Sequence, residues 1–85
     1  MLVTIGSVTT ATRAARIIES TIGVSVSVVH TPSELNRGGC SYSIRFNDRY
    51  ESDVLRLVTE YKIPVRKWYR ETYNGKQRVY NAVSG

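Results

Sequence analysis

Apolar and polar positions along the chain follow two periods, and the switches between them mark the elements. Leu2 to Ile5 is a short apolar, β-branched run that predicts a buried strand, ended by Gly6 and Ser7. Ser7 is placed to cap a helix, because its side-chain oxygen can accept from an amide that the first turn leaves unpaired. Val8, Ala11, Ala15, Ile18 and Ile22 then recur at spacings of three and four, with Ala14 and Ile17 widening the stripe. Gly23 suits a left-handed stop. From Val24 to Val29 the period falls to two, with Val24, Val26 and Val28 on one face of a half-buried strand that His30, Thr31 and Pro32 close. Ser33 to Gly39 carries no strand pattern, and Gly38-Gly39 is a permissive break. After Cys40 the alternation returns: Tyr42, Ile44 and Phe46 point one way, and Ser41, Ser43 and Arg45 the other.

A second helix starts at Asn47-Asp48, where Asp48 and Glu51 have the spacing of a capping box. Tyr50, Val54, Leu57, Val58 and Tyr61 form its apolar face, and Pro64 requires that the helix has ended by Ile63. The β-prone run from Val65 to Tyr73 leads to Asn74-Gly75, which fits the two central positions of a type I′ hairpin turn, and Lys76 to Val83 returns as a strand. The order is strand, helix, strand, strand, helix, strand, plus one strand from the hairpin. That order predicts an α+β fold of the ferredoxin-like βαββαβ type, a two-layer sandwich with both helices on one face of an antiparallel sheet. Right-handed crossovers set the first strand beside the third, both central, and leave the fifth at the edge beside the fourth.

Eighty-five residues make one small domain, with a family-like core over 1–69 and a C-terminal β-hairpin over 65–83. The composition, 41% hydrophobic and 22% charged, is that of a folded chain rather than a disordered one. No apolar run reaches the roughly 20 residues of a membrane span, and the opening "MLVTIGS" lacks the pattern of a signal peptide. With a single cysteine and no internal disulfide, a reducing cytoplasm is the expected compartment, with no role for a membrane. The net charge of +5 gathers at the end: from Arg66 on there are five basic residues against one acid, Glu71.

No glycine-rich phosphate loop, paired-cysteine metal motif or nucleophile-elbow serine is present. Cys40 and the single histidine, His30, are too few ligands for a closed zinc site, so no metal and no cofactor are expected. Cys40 is the main chemical candidate. Amides from the Gly38, Gly39 and Ser41 neighbourhood and the charges of Arg37 and Arg45 would favour its thiolate. The plainer reading makes Cys40 a small buried apolar residue, the glycines a turn, and His30 a strand-end residue. A second candidate is the C-terminal hairpin, where Arg66, Lys67, Trp68, Arg70, Lys76 and Arg78 interleave cations with an aromatic ring, a pattern suited to single-stranded nucleic acid. Its plainer reading packs Trp68 on the core and leaves the cations to solubilise an edge strand.

The stretch "TPSELNRGGCSYSIRF", preceded by strand-helix-strand and followed by a capped helix, resembles a bacterial family of selenium/sulfur carrier-like proteins. The resemblance spans most of Leu2 to Tyr69 and rests on Thr31, Pro32, Leu35, Gly39, Cys40, Ile44, Arg45 and Phe46. It implies a thiol carrier rather than a turnover catalyst, with Cys40 holding sulfur or selenium as a persulfide or selenosulfide. Donor and acceptor proteins for the chalcogen are the implied partners. Two positions depart from the pattern: Ser41 stands where the family often has glycine, and the Cys-Pro-x-Pro motif of better-known sulfur carriers is missing. Two readings without chemistry stand beside it: a nucleic-acid or protein binding module built on the basic hairpin, and a homodimer paired through a sheet edge.

Overall fold

The computed structural model describes residues 1–35 and 41–83. Five strands and two helices follow in the order β1 (Leu2–Thr4), α1 (Val8–Ile22), β2 (Ser27–His30), β3 (Tyr42–Arg45), α2 (Glu51–Glu60), β4 (Lys67–Asn74) and β5 (Gln77–Ala82), with a 3₁₀ turn at Asp48–Tyr50 leading into α2. The sheet order is β2-β3-β1-β4-β5 with every neighbouring pair antiparallel, the ferredoxin-like arrangement with one strand added. β1 lies beside β3 at the centre, and β5 takes the edge beside β4.

Local chemistry sets most of the boundaries. Ser7 caps α1 by accepting from the Thr10 amide, and Gly23 ends it in the left-handed conformation at φ 70°. Ala11, Ala14, Ala15 and Ile18 are the buried face of α1, while Val8 at the end of the stripe is exposed. On α2 the buried face is Val54, Leu57 and Val58; Tyr61 lies at the cap and is exposed. The β2 ladder is shorter than the valine alternation, starting at Ser27, because Val26 donates instead to the Glu19 carboxylate of α1 at 3.3 Å.

Two details differ from the sequence reading. The entry to the second helical segment is capped by Asn47, which accepts from the Arg49 amide at 3.0 Å, and not by a capping box at Asp48. Asp48 is drawn away to the Met1 ammonium at 2.6 Å, an ion pair that sequence spacing does not encode. The hairpin turn also sits one residue later. Asn74 pairs with Gln77, so Gly75 and Lys76 are the central residues. Only Gly75, at φ 66°, is left-handed, a pattern that fits type II′, with glycine first, rather than type I′.

The helix-covered face carries the main core: Val3, Ile5, Ile18, Ile44, Phe46, Val54, Leu57 and Val58 among others. Trp68 packs against it, its ring meeting Phe46 edge-on at 6.4 Å. The other face holds Leu2, Thr4, Ser43, Arg45, Tyr69 and Glu71 by strand alternation. It is not open to water throughout. Leu2 and Ser43 are fully buried there, and Thr31, Ser41 and Tyr69 nearly so.

Candidate functional site

The non-helical face is where the candidate residues of the sequence meet the structure. Of the proposed thiol neighbourhood, Arg37, Gly38, Gly39 and Cys40 lie outside the described residues. Their flanks are described, and both border one cleft. Leu35 ends a turn in which its amide donates to the Pro32 carbonyl at 2.9 Å. Ser41 resumes the sheet, its carbonyl accepting from the Thr31 amide at 3.0 Å. This contact extends the β2–β3 ladder by one step and sets Thr31, Ser41 and Ser43 on the same face. The Thr31 and Ser43 hydroxyls bond each other at 2.6 Å, which gives each of these buried polar side chains a partner.

The cleft measures about 400 Å³ and is lined by Thr4, Thr31, Glu34, Leu35, Ser41, Arg66, Lys67 and Tyr69. Its floor comes from the sheet: Thr4 at the end of β1, and Tyr69 two residues into β4. Its wall is the turn after β2. Thr4 is locked by the Lys67 amide, which donates to its Oγ1 at 3.0 Å. Arg66 passes across Gly6, whose missing side chain leaves room for the guanidinium; a Cβ there would lie 3.4 Å from Nη2.

Arg45 was read as a second cation for the thiolate. Its Nε donates to both Glu71 carboxylate oxygens, at 3.1 and 3.2 Å, and the thiol itself lies outside the described residues. Four residues of extended chain, about 13 Å, separate it from Ser41. His30 ends β2 opposite Tyr42, the two rings 4.5 Å apart, in keeping with the strand-end reading.

The hairpin residues do not form one surface. Trp68 turns to the core, and Arg70, on the same side, pairs with Glu51 at 2.8 Å and Asp48 at 3.7 Å. Arg78 crosses the opposite face to Glu71 at 3.5 Å, lies over the Tyr73 ring and donates to its hydroxyl at 3.0 Å; that hydrogen bond is the main influence raising its pKa further above the ordinary arginine value. Lys76 sits in the turn and borders a second groove with Glu34, Leu35 and Gln77 to Tyr80. Only Arg66 and Lys67 enter the cleft, and neither has a carboxylate at ion-pair distance among the described residues.

Sequence reasoning overlooked Glu71. It is one-tenth exposed and gathers Arg45, Arg78 and the Met1 ammonium, the last at 3.7 Å. The available signal was that it is the only acid in a strongly basic segment. Thr4, Thr31 and Tyr69 were also not read as parts of a site, because each belongs to a different strand or strand end.

Among the described residues no group of histidines, cysteines and carboxylates is arranged to hold a metal ion, and no helix is long and apolar enough to cross a membrane. Residues 1–70 match the model of a family described as "Putative Se/S carrier protein-like". No curated protein and no solved structure matches the chain. The family match runs from β1 into the first half of β4 and leaves β5 outside it.

Proposed function

The chain belongs to the Se/S carrier protein-like family, and on that premise we propose that it carries sulfur or selenium on Cys40 as a persulfide or selenosulfide. The observation that carries this reading is the family match over residues 1–70, which contains the chain's only cysteine. The Cys40 thiolate attacks the outer sulfur of a donor persulfide. A new S–S bond forms on Cys40, the donor's S–S bond breaks, and the donor leaves as a thiolate, with no net oxidation. The mirror-image step passes the outer atom to an acceptor thiolate. Each step returns a thiolate, so the protein needs no resident cofactor. The chemistry belongs in a reducing compartment, which makes the cytoplasm its site of action.

The described surroundings support this reading in one respect. Ser41, one peptide bond from Cys40, borders an open polar cleft where a donor or acceptor can be received. A nucleic-acid module built on the hairpin has less support, because Arg70 and Arg78 are neutralised on opposite faces of the sheet. Intact-mass measurement after incubation with a persulfide donor tests the carrier. The wild-type chain gains one sulfur and loses it to excess thiol, and Cys40→Ser gains none. A Cys40→Ser chain that still takes up sulfur, or a wild-type chain that takes up none, overturns the proposal.

A further inference from the structure

The cleft has a charge pattern as well as a shape. Two cations, Arg66 and Lys67, and one carboxylate, Glu34, line it together with the hydroxyls of Thr4, Thr31, Ser41 and Tyr69. Thr4, Thr31, Ser41 and Tyr69 are each at most 9% exposed, whereas Arg66, Lys67 and Glu34 are exposed to solvent at the rim. The Thr31 hydroxyl is paired with Ser43 and the Thr4 hydroxyl with the Lys67 backbone, so among the described residues Ser41 and Tyr69 are the lining hydroxyl groups with no protein partner. The contrast with the remaining arginines of this face and the hairpin is instructive: Arg45, Arg70 and Arg78 each have an acid. Two cations with no carboxylate at ion-pair distance among the described residues, beside the Ser41 and Tyr69 side chains, make an anion-binding arrangement.

Size narrows the class. At about 400 Å³ the cleft falls in the range of small-molecule sites, about 300–1,000 Å³, and far exceeds an inorganic oxoanion. We infer that the cleft formed by Thr4, Thr31, Glu34, Ser41, Arg66, Lys67 and Tyr69 binds a small peptide thiol bearing two carboxylates and one ammonium group. The carboxylates are received by Arg66 and Lys67, and the ammonium by Glu34. The choice of a thiol within this class rests on the carrier reading above; the recognition of a zwitterionic dicarboxylate does not. Such a molecule is a low-molecular-weight donor or acceptor for the chalcogen, in place of a protein partner.

Reduced glutathione is a probe with this pattern of charges. Its binding is followed by calorimetry and by amide chemical shifts on the full chain carrying Cys40→Ser, so that no covalent chemistry intervenes. Saturable binding is expected, with shifts at Thr4, Thr31, Ser41, Arg66 and Lys67. The double variant Arg66→Gln/Lys67→Gln weakens it by about tenfold or more, the scale of a lost charge-assisted hydrogen bond. Glu34→Gln weakens it less, and Lys76→Gln, outside the cleft, leaves it unchanged. Both cations are exposed, so the double variant folds, and its amide spectrum verifies this. No saturable binding, binding indifferent to Arg66 and Lys67, or equal affinity for sulfate or for the glutathione diethyl ester overturns the assignment. Because the chain tested has no thiol at position 40, these results are separate from the mass test: sulfur uptake without glutathione binding removes only the peptide-thiol site, and the reverse removes only the carrier.

Discussion

Ser43 and Ile44 are neighbours on β3, both are fully buried, and they face opposite sides of the sheet. Ile44 is enclosed by the side chains of α1, α2 and the central strands. Ser43 lies on the opposite face, across from Val29 and Thr4 on its neighbouring strands, and its hydroxyl is held by one contact with Thr31. The helix face is stabilised by removal of apolar area from water, which is tolerant of small displacements. The opposite face is stabilised by directional pairs: Thr31 with Ser43, and Arg45 and Arg78 with Glu71. It therefore depends on register, since a strand slip of one residue would exchange the two faces. The contrast explains why the cleft lies where it does. An apolar layer closes over itself, but a polar layer can stay open to a polar ligand.

Substitutions on the two faces put this contrast to measurement. The largest loss is expected for Ile44→Ala, about 2–5 kcal/mol in urea denaturation, from the lost transfer energy and the cavity left behind. A value near the Ser43 variant would mean that the helix layer is loosely packed. Glu71→Gln comes next, at roughly 1–3 kcal/mol, because Arg45 and Arg78 lose a common partner that is itself nearly buried. Its cost is expected to shrink in high salt, whereas that of Ile44→Ala does not. Ser43→Ala is expected to cost about 1 kcal/mol by orphaning the Thr31 hydroxyl, and adding Thr31→Val recovers part of the loss, since both partners are then apolar. A double variant whose cost is the full sum of the two singles would show that the 2.6 Å contact couples nothing. The smallest effect is assigned to Arg70→Gln. Its pairs with Glu51 and Asp48 are exposed, and the change in stability should stay below about 0.5 kcal/mol.

The two faces also differ in how far the sequence revealed them. The helix face was legible because periodicity reports burial directly: the stripe on α1 and the alternation on β3 name Ala11, Ala15, Ile18, Ile44 and Phe46 before any fold is known. The polar face gave no such signal. Alternation assigned Ser41 and Ser43 to the side away from the apolar set, and solvent was the default for a serine there. The structure buries both, with Ser43 hydrogen-bonded to Thr31 and Ser41 paired through its carbonyl to the Thr31 amide. The ion pairs join residues far apart in the chain, Arg45 to Glu71 and Met1 to Asp48, so no local pattern carries them. The proposed thiol neighbourhood was legible as a motif around Cys40, while the cleft beside it, assembled from β1, β4 and the turn after β2, was not.

Local residue chemistry set the elements and their order. Capping by Ser7, the left-handed stop at Gly23 and the side-chain periods all act within one or two turns of chain, where backbone sterics and nearest neighbours decide. Tertiary packing set the second layer of detail: that Asn47 caps where Asp48 was expected, that the hairpin turns at Gly75-Lys76, and that Glu71 receives Arg45. Those outcomes turn on strand register and on which charges meet across the sheet. Register is set by packing the whole sheet at once, and so no short stretch of residues contains it.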